Sequence, residues 1–113
     1  MSVNAEQWAF LKDEALLIQF AEANGYMLLG GDRKRTKEQQ AVYYTQGLSK
    51  TLDSLHQLGL ANDFDYIKDG KLIYDKAYLQ PLGDYWESLN PKNRWGGNWE
   101  SFYDPRHFER RRK

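Results

Sequence analysis

The stretch SLHQLGLANDFDYIKDGK, residues 54–71, decides how this chain folds. Its second half predicts a hairpin. GLANDFDYI (59–67) and KLIY (71–74) are runs of strand-forming residues, and KDGK lies between them. Asp69–Gly70 tolerates the positive φ that a tight connection requires. The first half raises a different question. His56 precedes a glycine turn at Gly59, and Asp63 and Asp65 then interrupt a run that otherwise reads as buried. Residues two apart on a strand share a face, so Asp63 and Asp65 are expected on one side and Phe64 on the other, in the core.

Upstream, residues 4–24 read as an amphipathic helix capped by Asn4 and stopped by Asn24–Gly25, with Trp8, Leu11, Ala15, Ile18 and Ala21 at helical spacing. YMLLGG (26–31) is a short strand. TKEQQAVYYTQG (36–47) predicts a second helix, with Thr36 as cap, Gln39 completing a capping box and Gly47 as terminator. Downstream, YLQPLGDYWESL (78–89) predicts a third helix with Pro81 near its first turn. NPKNRWGGNWESFYDPRHF (90–108) is rich in loop formers, and the basic tail 110–113 follows. The pattern is α+β: a small antiparallel sheet with flanking helices.

The 113 residues form one domain with room for a single core. Aromatic residues make up 15% of the chain and supply that core with bulk. The formal net charge is zero, so no global field argues for nucleic acid. No run approaches the roughly 18 apolar residues of a membrane span, and the first residues lack the pattern of a signal peptide. With no cysteine, a metal site must draw on His, Asp or Glu.

Both histidines stand near acids. Catalytic zinc takes three protein ligands and keeps a fourth position open, and His56, Asp63 and His107 meet that count using both histidines of the chain. Asp65 is the rival carboxylate. In DPRHFE (104–109), Pro105 keeps Asp104 out of helical geometry, so Asp104 and His107 are expected to meet through a turn. An acid beside an activated water serves as a general base.

SLHQLGLANDFD resembles the S-x-H-x-x-G-x-A-x-D pattern of the zinc D-Ala-D-Ala carboxypeptidase and L-alanyl-D-glutamate peptidase family. WGGNWESFYDPRHFE (95–109) is similar to the closing motif of its bacteriophage endolysin branch, and RTKEQQAVYYTQGLSKTLDS (35–54) to the segment before the histidine. The resemblance runs from about Leu11 to Glu109. It implies a hedgehog/D-Ala-D-Ala-peptidase-like fold, zinc bound by His56, Asp63 and His107, Asp104 as catalytic acid/base, and Arg35 and Ser54 on the substrate. Arg33 competes with Arg35, which keeps the spacing to Gln40. Asn62 departs from the apolar residue usual in the family. Trp95, beside two glycines, is a further candidate to line the cleft.

The implied activity is hydrolysis of a peptidoglycan stem peptide at L-Ala–D-Glu for host lysis. It would come from a monomer made in the cytoplasm and released to the wall through a holin. The alternatives are a D,D-carboxypeptidase removing terminal D-Ala and, more distantly, a non-catalytic wall-binding or protein-binding domain. The basic tail offers contact with anionic polymers or headgroups. No stable membrane insertion is expected.

Overall fold

A computed structural model describes residues 2–30, 55–56 and 58–112. Helix α1 spans Val3–Ala23. Ser2, not Asn4, caps it by accepting from the Ala5 amide at 3.2 Å, and Gly25 in the left-handed region (φ 85°) turns the chain out. The buried face is also not the one that apolar spacing indicates. Glu6, Phe10, Glu14, Leu17 and Ala21 point inward, whereas Trp8 (60% exposed), Leu11, Ala15 and Ile18 face outward. Two carboxylates on the inner face disguise it. Arg110 Nε donates to Glu6 at 2.6 Å, and Asn62 Nδ2 donates to Glu14 at 2.8 Å. Arg110 holds Glu6 below the usual carboxylate range.

The strands among the described residues form two antiparallel three-stranded sheets rather than one. In the first, β1 (Tyr26–Leu29) pairs with β3 (Asp65–Lys68), which pairs with β4 (Lys71–Leu72). The β3–β4 hairpin turns through Asp69 (φ 54°) and Gly70 (φ 77°), as the sequence predicts. In the second sheet, the central strand β6 (His107–Arg110) lies between β2 (Ala61–Asp63) and β5 (Asn93–Trp95). The run GLANDFDYI is therefore two strands in different sheets, with Phe64 between them. The Phe64 amide leaves β2 to donate to Arg106 O at 2.9 Å, and its ring enters the core. Strands β5 and β6 lie where the glycines and prolines of 90–108 suggest loop.

Helix α2 (Lys76–Leu89) starts earlier than predicted, because Asp75 caps it by accepting from the Ala77 amide at 3.0 Å. Pro81 is consequently inside the helix rather than in its first turn. The predicted helix 36–47 lies outside the described residues.

Phe108, from the middle of β6, is the hub of the core. Phe64, Tyr66, Trp86 and Trp95 surround it with centroids 5.8–6.5 Å away. Trp95 is fully buried and wedged between two glycines. A Cβ on Gly83 of α2 would lie 2.1 Å from its ring, and one on Gly97 would lie 2.2 Å from it. Gly83→Ala should raise helix propensity by about 1 kcal/mol in open surroundings. Here the overpacking reverses the sign, and a loss of about 1–3 kcal/mol is expected in urea unfolding.

Candidate metal centre

Two local structures present the chemistry-bearing side chains. The first is the turn after Leu55, closed by Leu60 N donating to Leu55 O at 2.9 Å and Gly59 N donating to His56 O at 3.2 Å. Gly59 sits there at φ 71°, a conformation that favours glycine, and Gln7 of α1 clamps the turn by donating to Leu58 O at 2.6 Å. The second is the Asp104–His107 turn, in which His107 N donates to Asp104 O at 3.2 Å. Trp95 Nε1 (2.8 Å) and the Tyr66 hydroxyl both donate to Pro105 O, fixing this turn to the core. A Cβ at Gly96 would lie 2.3 Å from Asp104 O, so glycine is what lets the turn approach.

The β2–β6 register sets Asp63 opposite His107. His107 Nδ1 is 3.1 Å and His56 Nε2 is 3.4 Å from Asp63 Oδ1, and the two imidazole centroids are 5.1 Å apart. One donor atom from each of His56, Asp63 and His107 lies within 4.8 Å of the others, and all three residues are buried. Two imidazoles and one carboxylate gathered this closely match the donor set of a divalent transition ion.

Asp65, the rival carboxylate, is not in this cluster. The strand breaks at Phe64, so the two-residue alternation does not carry across, and Asp65 opens the other sheet. There it accepts from Arg106 Nε at 2.8 Å and from the Tyr74 hydroxyl at 3.0 Å.

The partners of His107 define its orientation. Its Nε2 is 2.8 Å from Glu109 Oε1, and Arg94 holds Glu109 Oε2 through Nη2 at 2.6 Å and Nε at 3.1 Å. A carboxylate on one ring nitrogen fixes the tautomer and frees the other nitrogen for a metal. Glu109 shares the face of His107 on β6 by the two-residue alternation, a signal present in the sequence. Trp99 lies over His107 with centroids 5.1 Å apart.

The electrostatics follow from burial and contact. Burial opposes the charged form of Asp63, but hydrogen bonds from His107 and His56 hold it well below the usual carboxylate range. Burial likewise opposes protonation of His107, and hydrogen bonds to Asp63 and Glu109 override it, raising the ring to about 9. Asp104 is shifted the other way. Burial, aided by the negative charge of Asp63, raises its carboxyl, while the Arg106 backbone amide hydrogen-bonds to it.

A metal ion held by this cluster would displace a proton from His107, so binding near neutral pH should release at least one proton. Apparent affinity should rise with pH until about 9, the value to which His107 is raised. Titration calorimetry in buffers of different ionisation enthalpy counts that proton. In metal-free protein the sign is opposite: the folded value lies above the unfolded one, so the stabilisation is complete below about 6.5 and fades as pH rises through about 9.

Arg35 and Ser54 lie outside the described residues. Trp95 does not line a cleft: its ring fills the core between Gly83 and Gly97, and Trp99 is the indole beside the cluster. Arg110 is no part of a solvated tail, because Glu6 and, at 3.8 Å, Asp13 draw it into the interior.

A family model described as D-alanyl-D-alanine carboxypeptidase matches residues 47–110. The L-alanyl-D-glutamate peptidase of Listeria phage A118 is 36% identical over 95 residues, covering 82% of this chain and 34% of the relative. The chain thus spans about a third of the length of the curated relative it matches. Among solved structures, the Serratia marcescens L-Ala D-Glu endopeptidase ChiX superposes with a TM-score of 0.75 at 20% identity, over 90% of this chain and 77% of that one. The vancomycin-resistance D,D-pentapeptidase VanY of a VanB-type cassette, in complex with Zn(II), gives 0.59 at 20% identity over 89% and 70%. Both share this fold.

Proposed function

This chain belongs to the D-alanyl-D-alanine carboxypeptidase family, and on that premise we propose that it is a zinc peptidase of peptidoglycan, hydrolysing the L-Ala–D-Glu bond of stem peptides. The observation that carries the reading is the buried His56–Asp63–His107 donor cluster beside a carboxyl raised by burial.

His56, Asp63 and His107 would hold the ion. When bound, zinc supplies a Lewis acid that polarises a carbonyl and lowers the pKa of water to about 7. The protein supplies the rest. Asp104, aimed by the Arg106 amide, takes a proton from the attacking water and delivers it to the leaving amine. Glu109 keeps the Nε2 side of His107 engaged so that Nδ1 faces Asp63. Arg35 and Ser54 are the residues proposed to engage the substrate beyond the described structure. The activity of the phage relative, an L-alanyl-D-glutamate peptidase, favours L-Ala–D-Glu, and the description of the family model supports the alternative, removal of terminal D-Ala.

Action on the wall by a monomer, after release by a holin, completes the reading. Among the described residues no helix is long and apolar enough to cross a membrane.

Purified protein with zinc and soluble muropeptides, followed by mass spectrometry, tests the function. A newly exposed D-Glu amine supports the endopeptidase, and free D-alanine replaces it with the carboxypeptidase. An uncut stem overturns both.

A further inference from the structure

The two bonds under consideration share one chemical feature. In L-Ala–D-Glu, the leaving nitrogen is attached to a carbon that also bears the free α-carboxylate of D-Glu, because the chain continues through the γ-carboxyl. In D-Ala–D-Ala, the leaving residue likewise carries a free carboxylate. A site that protonates this amine must therefore accommodate an anion within a few ångströms of its proton donor.

Arg106 occupies that neighbourhood. It lies between Asp104 and His107 on the turn that carries the proton donor, and its own backbone amide bonds the Asp104 carboxylate. Its side chain is 39% exposed, and its charge interacts with those of both Asp63 and Asp104. It is also anchored in an uncommon way. Asp65 takes only Nε, at 2.8 Å, whereas Glu109 takes both Nε and Nη2 of Arg94. Among the described residues, no hydrogen bond engages the Nη groups of Arg106. Asp65 is held in turn by the Tyr74 hydroxyl at 3.0 Å, and Tyr103, next to Asp104, donates to Tyr74 O at 3.0 Å. The guanidinium is thus positioned from behind by a polar network, with donors left over on its outer edge. Such an edge suits a carboxylate, which accepts parallel hydrogen bonds.

Resting on the peptidase reading above, we propose that Arg106 is the specificity-determining residue for the leaving amino acid, binding its free α-carboxylate and so discriminating acid stems from amidated ones. This assignment is separate from Arg35, which belongs to another part of the chain. It also gives Asp65 a role as the positioning carboxylate for Arg106.

The experiment compares two stem peptides that differ in one group, D-Glu with its free α-carboxylate and D-isoglutamine with the α-carboxamide. The wild-type zinc-loaded protein should favour the acid stem by roughly tenfold or more in kcat/KM, mostly through KM, as expected for a charge-assisted hydrogen bond. In Arg106→Gln that ratio should fall towards one. Arg106→Lys, which keeps the charge but not the fork, should give an intermediate ratio, and Asp65→Asn should lower it with Arg106 present. Zinc binding is measured for each variant to show that the cluster is intact. A wild-type protein that cuts the L-Ala–D-Glu bond of both stems equally, or an Arg106→Gln variant that keeps the full preference, overturns the assignment and leaves the peptidase reading standing. A wild-type protein that cuts neither stem removes the peptidase reading itself.

Discussion

Asp104→Asn should bind zinc as tightly as the wild-type protein and turn over about 10²- to 10⁴-fold more slowly. The substitution keeps shape and removes the charge together with the proton-transfer capacity. The backbone contacts that hold the turn, Asp104 N to Gly96 O at 3.0 Å and His107 N to Asp104 O at 3.2 Å, do not involve the carboxylate. The three residues of the candidate metal cluster are elsewhere. Zinc stoichiometry together with single-turnover rates on muropeptides separates the effects. A rate within a few-fold of wild type would remove Asp104 from the chemistry and favour a domain that only binds. Because burial and Asp63 raise the Asp104 carboxyl, the wild-type rate should fall on acidification at a pH above the ordinary carboxylate range.

The second large effect is expected from Asp63→Ala. Among the described residues, Asp63 is the only carboxylate of the donor cluster, and it stands against both imidazoles, at 3.1 and 3.4 Å. Loss of an outer partner of a metal ligand typically costs about 10- to 100-fold in affinity. Loss of the charged ligand should exceed that, so the variant should emerge from dialysis without zinc and without activity. In the metal-free state, one of the two carboxylates that raise His107 is gone, and the ring should titrate below the wild-type value of about 9. Imidazole shifts by NMR read this directly. Retained stoichiometric zinc would assign the site to other residues.

The grouping of His56, Asp63 and His107 was legible because the chain has only two histidines and no cysteine, which left few combinations. The spacing of Asp104 from His107 across Pro105 likewise announced a turn. Other features were hidden for identifiable reasons. Glu6 and Glu14 count as surface residues in any hydropathy pattern, and only Arg110 and Asn62, distant in sequence, make them interior. The switch of sheets at Phe64 leaves no mark in a run that carries no glycine or proline between Leu60 and Ile67. Trp95 and Trp99 flank the same glycine pair, and which one reaches the cluster depends on Gly83, contributed by a helix that sequence spacing does not bring near. Strands β5 and β6 are short and embedded among turn formers, so their strand character comes from pairing rather than from propensity.

Strand β6 follows every other described element in chain order, yet it is the middle member of its sheet and supplies Phe108 to the core and His107 to the donor cluster. During translation, everything upstream can be synthesised and still have no strand around which the second sheet can form. A nascent fragment halted before this segment lacks the middle strand of the second sheet and one residue of the donor cluster, so it should neither retain zinc nor resist proteolysis.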